Sequence, residues 1–213
     1  MGIQTTDLEI DDWFKFLPEQ VDLWISDPPY PFDSQNGTGR YKGMYQKFTW
    51  QKLNDIFVKM YEKTNEGGRV YIFANRDGLF KTMEGLKKAG FEFLNILIWD
   101  KQHFGGGYHW RRQEEYIVYV SKGPPKTYVK GVSNIFNYKR PSKSDAVPSI
   151  GYNPEGVSVK PHQIWRDIIN YGGCQDDVCA DPFAGTDPMK AALLLNSTIA
   201  AKIKEAYTNV YLT

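Results

Sequence analysis

The sequence predicts an α/β fold, a parallel sheet with helices on both faces. Two observations carry this. Short runs rich in β-branched and aromatic residues alternate with segments whose apolar residues recur at helical spacing. Two of those runs stop abruptly at Asp-Pro, at residues 27–28 and 181–182, where a buried strand would open into a loop. The length, 213 residues, suits a single domain over residues 1–213 with a sizeable core and a small insertion at about residues 123–159.

Residues 21–26 (VDLWIS) form the first expected strand, stopped by Asp27, Pro28 and Pro29. Residues 34–43 carry three glycines among polar residues and read as a mobile loop. Leu53, Ile56, Phe57 and Met60 fall on one face of a helix over residues 49–65, which Gly67 and Gly68 should close. Residues 69–74 are the second strand, and residues 79–90 a helix ending at a glycine. Residues 91–100 and 116–120 are the third and fourth strands. Pro161 suits the first turn of a helix over residues 161–171. Residues 177–180 are the fifth strand, residues 188–195 a helix, and residues 197–203 the final strand.

Hydrophobic residues make up 41% and charged residues 24%, which excludes a disordered chain. Lys+Arg total 26 and Asp+Glu 25, a net charge of +1, so any polyanion-binding surface must be local. One is visible. Residues 121–144 hold Lys122, Lys126, Lys130, Lys139, Arg140 and Lys143 and no acid, interleaved with Tyr128, Phe136 and Tyr138. Basic residues mixed with aromatics suit a nucleic-acid groove; a solvated loop face is the alternative. Arg111 and Arg112 form a second basic pair, beside Trp110. No run approaches 18 consecutive apolar residues, so no membrane span is expected. Residues 1–12 lack the order of a signal peptide. Cys174 and Cys179 are expected as reduced thiols; neither they nor His103, His109 and His162 have metal spacing.

The chemistry concentrates in Asp27-Pro28-Pro29-Tyr30, directly after a buried strand. In an open α/β sheet the carboxyl ends of the strands form the ligand crevice. A carboxylate there can accept a hydrogen bond from an exocyclic amino group. Two prolines stiffen the backbone and leave carbonyls without neighbouring amide donors. The adjacent ring can stack on a base taken out of a duplex. A second motif, Asp181-Pro182-Phe183-Ala184-Gly185, also follows a strand and precedes a helix, where a glycine turn lets a ligand approach the backbone.

Together the two motifs resemble the amino-methylating DNA methyltransferases, whose catalytic motif is Asp/Asn/Ser-Pro-Pro-aromatic and whose cofactor motif reads DPFxGSGTT. Catalytic motif first is the order of the beta class. Residues 21–30, 65–73, 91–101 and 115–123 resemble further family segments, and Lys160-Pro161 resembles the end of its T-Q-K-P segment. The resemblance implies a single Rossmann-like S-adenosylmethionine-dependent methyltransferase fold, with a mixed, mostly parallel sheet and helices on both faces. It implies methyl transfer from S-adenosyl-L-methionine to adenine N6, the base form most typical of Asp-Pro-Pro-Tyr, or to cytosine N4. Asp27, Pro28, Pro29 and Tyr30 would be catalytic. Asp7, Lys160, Asp181, Pro182, Phe183, Gly185, Thr186, Asp187 and Lys202 would face the cofactor. Arg111, Arg112, Lys126, Lys130, Lys139 and Arg140 would face double-stranded DNA, with residues 123–159 as a short target-recognition insertion. Such an enzyme needs no metal, and its expected place is the cytoplasm of a bacterial or phage-infected cell. A homodimer or an accessory specificity subunit is left open, as is RNA or a small amine as acceptor.

The chain departs from the family in the cofactor half. Asp187 stands where the family has a glycine, and adds a side chain and a negative charge there. Lys202 stands where an acidic residue accepts bonds from the ribose hydroxyls, and a lysine only donates. Three readings are open: a pocket that has lost competence in a protein still binding nucleic acid, an altered cofactor, or an Asp187–Lys202 pair in a working pocket.

Overall fold

The computed structural model describes residues 14–31, 48–105, 109–127, 129–146, 159–183, 188–200 and 203–207. Seven strands form one sheet: β1 (Val21–Ser26), β2 (Thr64–Ala74), β3 (Glu92–Asp100), β4 (Glu114–Ser121), β5 (Ile135–Asn137), β6 (Asp177–Ala180) and β7 (Ile203–Tyr207). Their order is β5-β3-β4-β2-β1-β6-β7. β4 is antiparallel to β2 and β3, and every other pairing is parallel. The sheet is therefore mixed and mostly parallel, as the family resemblance implies. The reversal has a local cause. Among the described residues no helix separates β3 from β4, so the two pair antiparallel rather than through a crossover.

Helices α1 (Trp50–Lys63) and α2 (Leu79–Ala89) cover one face, and α3 (His162–Gly172) and α4 (Pro188–Leu194) the other. A four-residue helix, α5 (Ser197–Ala200), precedes β7. Strand alternation divides the core. Trp24, Val70, Ile72 and Val118 pack with Leu53, Ile56, Phe57 and Met60 of α1. Leu23, Ile25, Tyr71, Phe73 and Ile117 point the other way, against Ile164, Trp165 and Ile168 of α3 and Met189 of α4. Each such side chain contributes about 1.5–3 kcal/mol relative to exposure. α1 starts where Thr49 Oγ1 accepts from the Lys52 amide at 3.1 Å. α2 stops at Gly90, whose φ of +112° lets its N–H turn back to the Leu86 and Lys87 carbonyls.

Two boundaries differ from the sequence expectation. α1 ends at Lys63, and Gly67 and Gly68 lie inside β2 instead of closing the helix. The glycines serve a bulge: the β1–β2 register jumps between Val21↔Thr64 and Leu23↔Arg69. A Cβ on Gly68 would lie 2.5 Å from Thr64 Cγ2. The expected strand at residues 197–203 is instead α5, with β7 starting at Ile203. Asn196 Oδ1 accepts from the Thr198 amide at 3.2 Å, a turn that starts a helix rather than a strand. β5 is an addition, three residues within the basic segment. No helix among the described residues is long and apolar enough to cross a membrane.

From β1 the chain moves outward to β2, and from β6 it moves outward in the opposite direction to β7. The strand order thus reverses between β1 and β6. Open α/β sheets bind ligands beyond the carboxyl ends of the strands at such a point.

Candidate active site

Both sequence motifs emerge at this reversal. Asp27 to Tyr30 leave β1, and Asp181 to Phe183 leave its parallel neighbour β6, with Trp24 paired to Ala180. Ser26 Oγ donates to Asp181 Oδ1 at 2.6 Å, and the Phe183 amide donates to the same oxygen at 2.9 Å. Asp181 is buried and ties the two motif loops together. Phe183 packs edge-on against Phe48, ring centroids 5.8 Å apart.

Around Asp27 the structure gathers residues from four separate segments. Lys160, only 2% exposed, places Nζ 2.8 Å from Asp27 Oδ2 and 3.2 Å from Glu115 Oε2. The Tyr30 hydroxyl donates to Asp27 Oδ1 at 3.1 Å and lies 3.5 Å from Glu115 Oε2. Lys101 Nζ reaches the other Glu115 oxygen at 3.4 Å. The Lys160 ammonium sits 5.6 Å from the Tyr30 ring centroid and 5.7 Å from that of Phe73. Two carboxylates and two ammoniums thus alternate through a half-buried cluster. A carboxylate offers about four lone-pair sites, so Asp27 keeps acceptor capacity beyond Tyr30 and Lys160.

The local environment sets each proton. Burial raises Asp27 above the ordinary carboxylate value, and the neighbouring Lys160 charge opposes that only in part. Burial also opposes the charge on Glu115, but Lys160 and Lys101 outweigh it and hold that carboxyl low. Burial pulls Lys160 down, yet Asp27 and Glu115 more than compensate, so it stays an ammonium. Burial, then Asp27 and Glu115, lift the Tyr30 hydroxyl well above its usual value, which keeps it a donor.

Pro28 and Pro182 are buried beside their aspartates. Lys160, expected at the cofactor, has its ammonium on Asp27, the carboxylate expected to be catalytic. Asp7, Gly185, Thr186, Asp187 and Lys202 lie outside the described residues. The basic residues divide by strand direction. β5 is parallel to β3, so Lys139 and Arg140 leave it at the catalytic end, where Arg111 and Arg112 also lie in the β3–β4 connection. Arg112 pairs with Asp77 at 3.2 Å, both exposed. Lys126 is not brought to the site. It pairs with Asp22, the second residue of β1, at the opposite end of the sheet. Lys130 is exposed in the loop that follows. At that far end Arg69, fully buried, forms an ion pair with Asp177, which also accepts from the Cys174 amide at 2.6 Å.

Sequence reasoning did not single out Glu115 or Lys101 as site residues. The available signal was a glutamate at the end of an apolar strand facing a strand that ends in Trp-Asp-Lys; the pairing Trp99↔Glu115 makes it a neighbour of the site.

Comparison with known proteins agrees with this fold. The N6_N4_Mtase family, described as DNA methylase, matches residues 21–211. The chain is similar to the type II methyltransferase M.HhaII of Haemophilus parahaemolyticus, 26% identical over 192 residues that cover 82% of this chain and 78% of that protein. It is also similar to the type II methyltransferase M2.MboI of Moraxella bovis, 24% identical over 207 residues covering 83% and 73%. In fold it is similar to M1.HpyAVI in complex with SAM, with a TM-score of 0.62, 15% identity, and coverage of 97% of this chain and 91% of that one. A second such structure is TTHA0409 of Thermus thermophilus complexed with S-adenosyl-L-methionine, with a TM-score of 0.60, 20% identity, and coverage of 100% and 88%. The family match runs from the first residue of β1 past the end of β7, and its two motifs meet where the strand order reverses; the chain belongs to the DNA methylase family.

Proposed function

We propose that this protein transfers a methyl group from S-adenosyl-L-methionine to adenine N6 in double-stranded DNA, with the target base held outside the helix. The observation that carries this reading is the fixed carboxylate of Asp27 at the strand reversal, gripped by Tyr30 and Lys160. The bound cofactor supplies an electrophilic methyl carbon on a sulfonium. The described residues suit it. Asp181 presents a buried carboxylate anchored by Ser26, Phe183 an apolar wall, and both stand at the β1–β6 crevice. Asp7, Pro182, Gly185, Thr186, Asp187 and Lys202 complete that set.

The chain's own residues then act on the amino group. Asp27 and the Pro28 carbonyl accept its two hydrogens, which turns the nitrogen lone pair toward the methyl carbon. As the N–C bond forms and the S–C bond to the methyl breaks, its electron pair leaves with sulfur as a neutral thioether; positive charge grows on nitrogen, and the Asp27 carboxylate stabilises it. Lys160 holds Asp27 in place, and Glu115 neutralises Lys160, so that the ammonium does not cancel the charge Asp27 offers. Loss of one N–H proton completes the reaction, and burial disposes Asp27 to take it. Tyr30 stacks on the base. Arg111, Arg112, Lys139 and Arg140 lie at the same end and suit phosphate contacts; Lys126 and Lys130 belong to the more distant part of that surface.

On this reading residues 1–213 work as one methyltransferase domain, and residues 123–159 as its target-recognition segment. That segment is short, so a second copy of the chain or an accessory subunit completes recognition. The protein acts in the cytoplasm of a bacterial or phage-infected cell, within a restriction-modification system.

Radiolabelled S-adenosyl-L-methionine, unmethylated DNA and nucleoside analysis test this. N6-methyladenine is the expected product, and N4-methylcytosine would overturn the adenine assignment. Asp27→Ala should lower transfer by roughly 100- to 1,000-fold while cofactor affinity by calorimetry is retained. Retained transfer in that variant would refute the role given to Asp27.

A further inference from the structure

In the connection between β3 and β4 the described residues, 101–105 and 109–113, are built unlike the rest of the described surface. Its foot is part of the catalytic cluster. Lys101 bonds Glu115 at 3.4 Å and lies over the Trp99 ring at 5.9 Å. Above the foot the two strands continue as a narrow hairpin, with the Lys101 amide on the Gln113 carbonyl at 2.9 Å and the Gly105 amide on the Arg112 carbonyl at 2.6 Å. Arg111 staples the opposite side, its Nε 2.9 Å from the Gly105 carbonyl and its guanidinium 5.6 Å from the Phe104 ring centroid. Arg112 braces the hairpin against Asp77. The support is therefore substantial.

What this support presents is an exposed indole. Trp110 is 97% exposed and Phe104 58%, although large aromatics normally bury most of their surface. Of the three described non-glycine residues at positive φ, two are Gln102 (+53°) and His109 (+60°), both in this connection. Such conformations persist where surrounding structure enforces them, and they cluster at functional sites. His109 directly precedes Trp110. Residues 101–113 also contain Lys101, Arg111, Arg112 and two histidines but no acid, so the element is complementary to a polyanion. An aromatic carried on a cationic hairpin, rooted beside the residue that receives the base, matches a gap between stacked bases better than a protein surface.

We propose that residues 101–105 and 109–113 form a duplex-opening wedge, with Trp110 entering the stack at the space the target base leaves. This rests on the function proposed above. The wedge binds no reacting group. It lowers the cost of the flipped state, so it matters only when the base must be withdrawn from a duplex.

The test uses unmethylated plasmid DNA, as duplex and as heat-denatured single strands, with the full chain and radiolabelled S-adenosyl-L-methionine. Trp110→Ala should reduce kcat/KM on duplex roughly 10- to 100-fold, the size of one lost stacking contact. Trp110→Phe should recover most of it, and on single strands the Ala variant should match the wild type. Cofactor affinity should be unchanged in both variants. A duplex rate kept in Trp110→Ala, an equal loss on both forms of DNA, or no recovery in Trp110→Phe overturns the wedge alone. Wild-type protein that methylates neither form overturns the wedge and the proposed function together.

Discussion

Asp27 has to be ionised to hold an amino group, and the side chains around it act on its proton in opposite directions. Its activity limb lies on the acid side, because protonation removes the acceptor. Burial raises its pKa, Lys160 lowers it and Glu115 raises it. Lys160→Met should therefore move the acid limb of kcat/KM to higher pH, and Glu115→Gln should move it to lower pH. Both side chains contact Asp27 or its partner at hydrogen-bond range, so a purely structural effect would reduce the rate without separating the two limbs. Rate profiles of the two variants check this, and shifts of the same sign would refute the arrangement. Lys160→Met should also cost about 3 kcal/mol of stability in urea unfolding, since it leaves a half-buried pair of carboxylates without their shared cation. The residues of this cluster were unequally legible in the sequence. Asp27 to Tyr30 are contiguous after an obvious strand. Lys160 was legible as a site residue but not as the partner of Asp27, which is 133 positions away. Glu115 becomes a site residue only through the pairing of β4 with β3, which local pattern does not specify.

At the level of elements, α1 and α2 pack closely on one face of the sheet, and Gly85 sets their approach. A Cβ there would lie 2.3 Å from Asn54 Oδ1 and 3.1 Å from Phe57 Cδ2. Gly85→Val should therefore destabilise the fold by about 1–3 kcal/mol, measured by urea unfolding with an unchanged m-value. A neutral result would show that Asn54 and Phe57 give way without cost. The helices and most strands were legible because their period and their stops agree: Leu53, Ile56, Phe57 and Met60 mark a face, and Gly90 marks an end. The failures have two causes. Gly67 and Gly68 are punctuation in a helix reading, but a bulged strand beside β1 needs the same residues. Ser197 to Ala200 lack any period long enough to separate helix from strand, and Asn196 decides for the helix. β5 is too short to show a pattern at all, and it exists because Asn134 and the residues after it pair with the outer edge of β3.

For the molecule as a whole, the two ends of the sheet divide the work. The amino ends are joined by a buried ion pair, Arg69 with Asp177, and by a second pair in which Asp22 meets the exposed Lys126, both linking segments far apart in sequence. The carboxyl ends of β1 and β6 hold Asp27 and Asp181, which the proposed function assigns to the acceptor base and to the cofactor. On that assignment the cofactor reads only the native sheet and stabilises it by mass action. At a concentration 100 times its Kd the gain is about 2.7 kcal/mol. For a chain of 213 residues that corresponds to a rise in Tm of roughly 5–10 °C. The two motifs then separate by variant. Asp27→Ala should keep the rise on adding S-adenosyl-L-methionine, because its carboxylate faces the base. Asp181→Asn should lose most of it, because Asp181 ties the first residues after β6 to β1 through Phe183 and Ser26. The comparison is made within each variant, with and without cofactor, so a lower starting Tm does not obscure it. No rise in the wild type at millimolar cofactor would overturn the expected stabilisation, and equal rises in the two variants would show that Asp181 has no part in it.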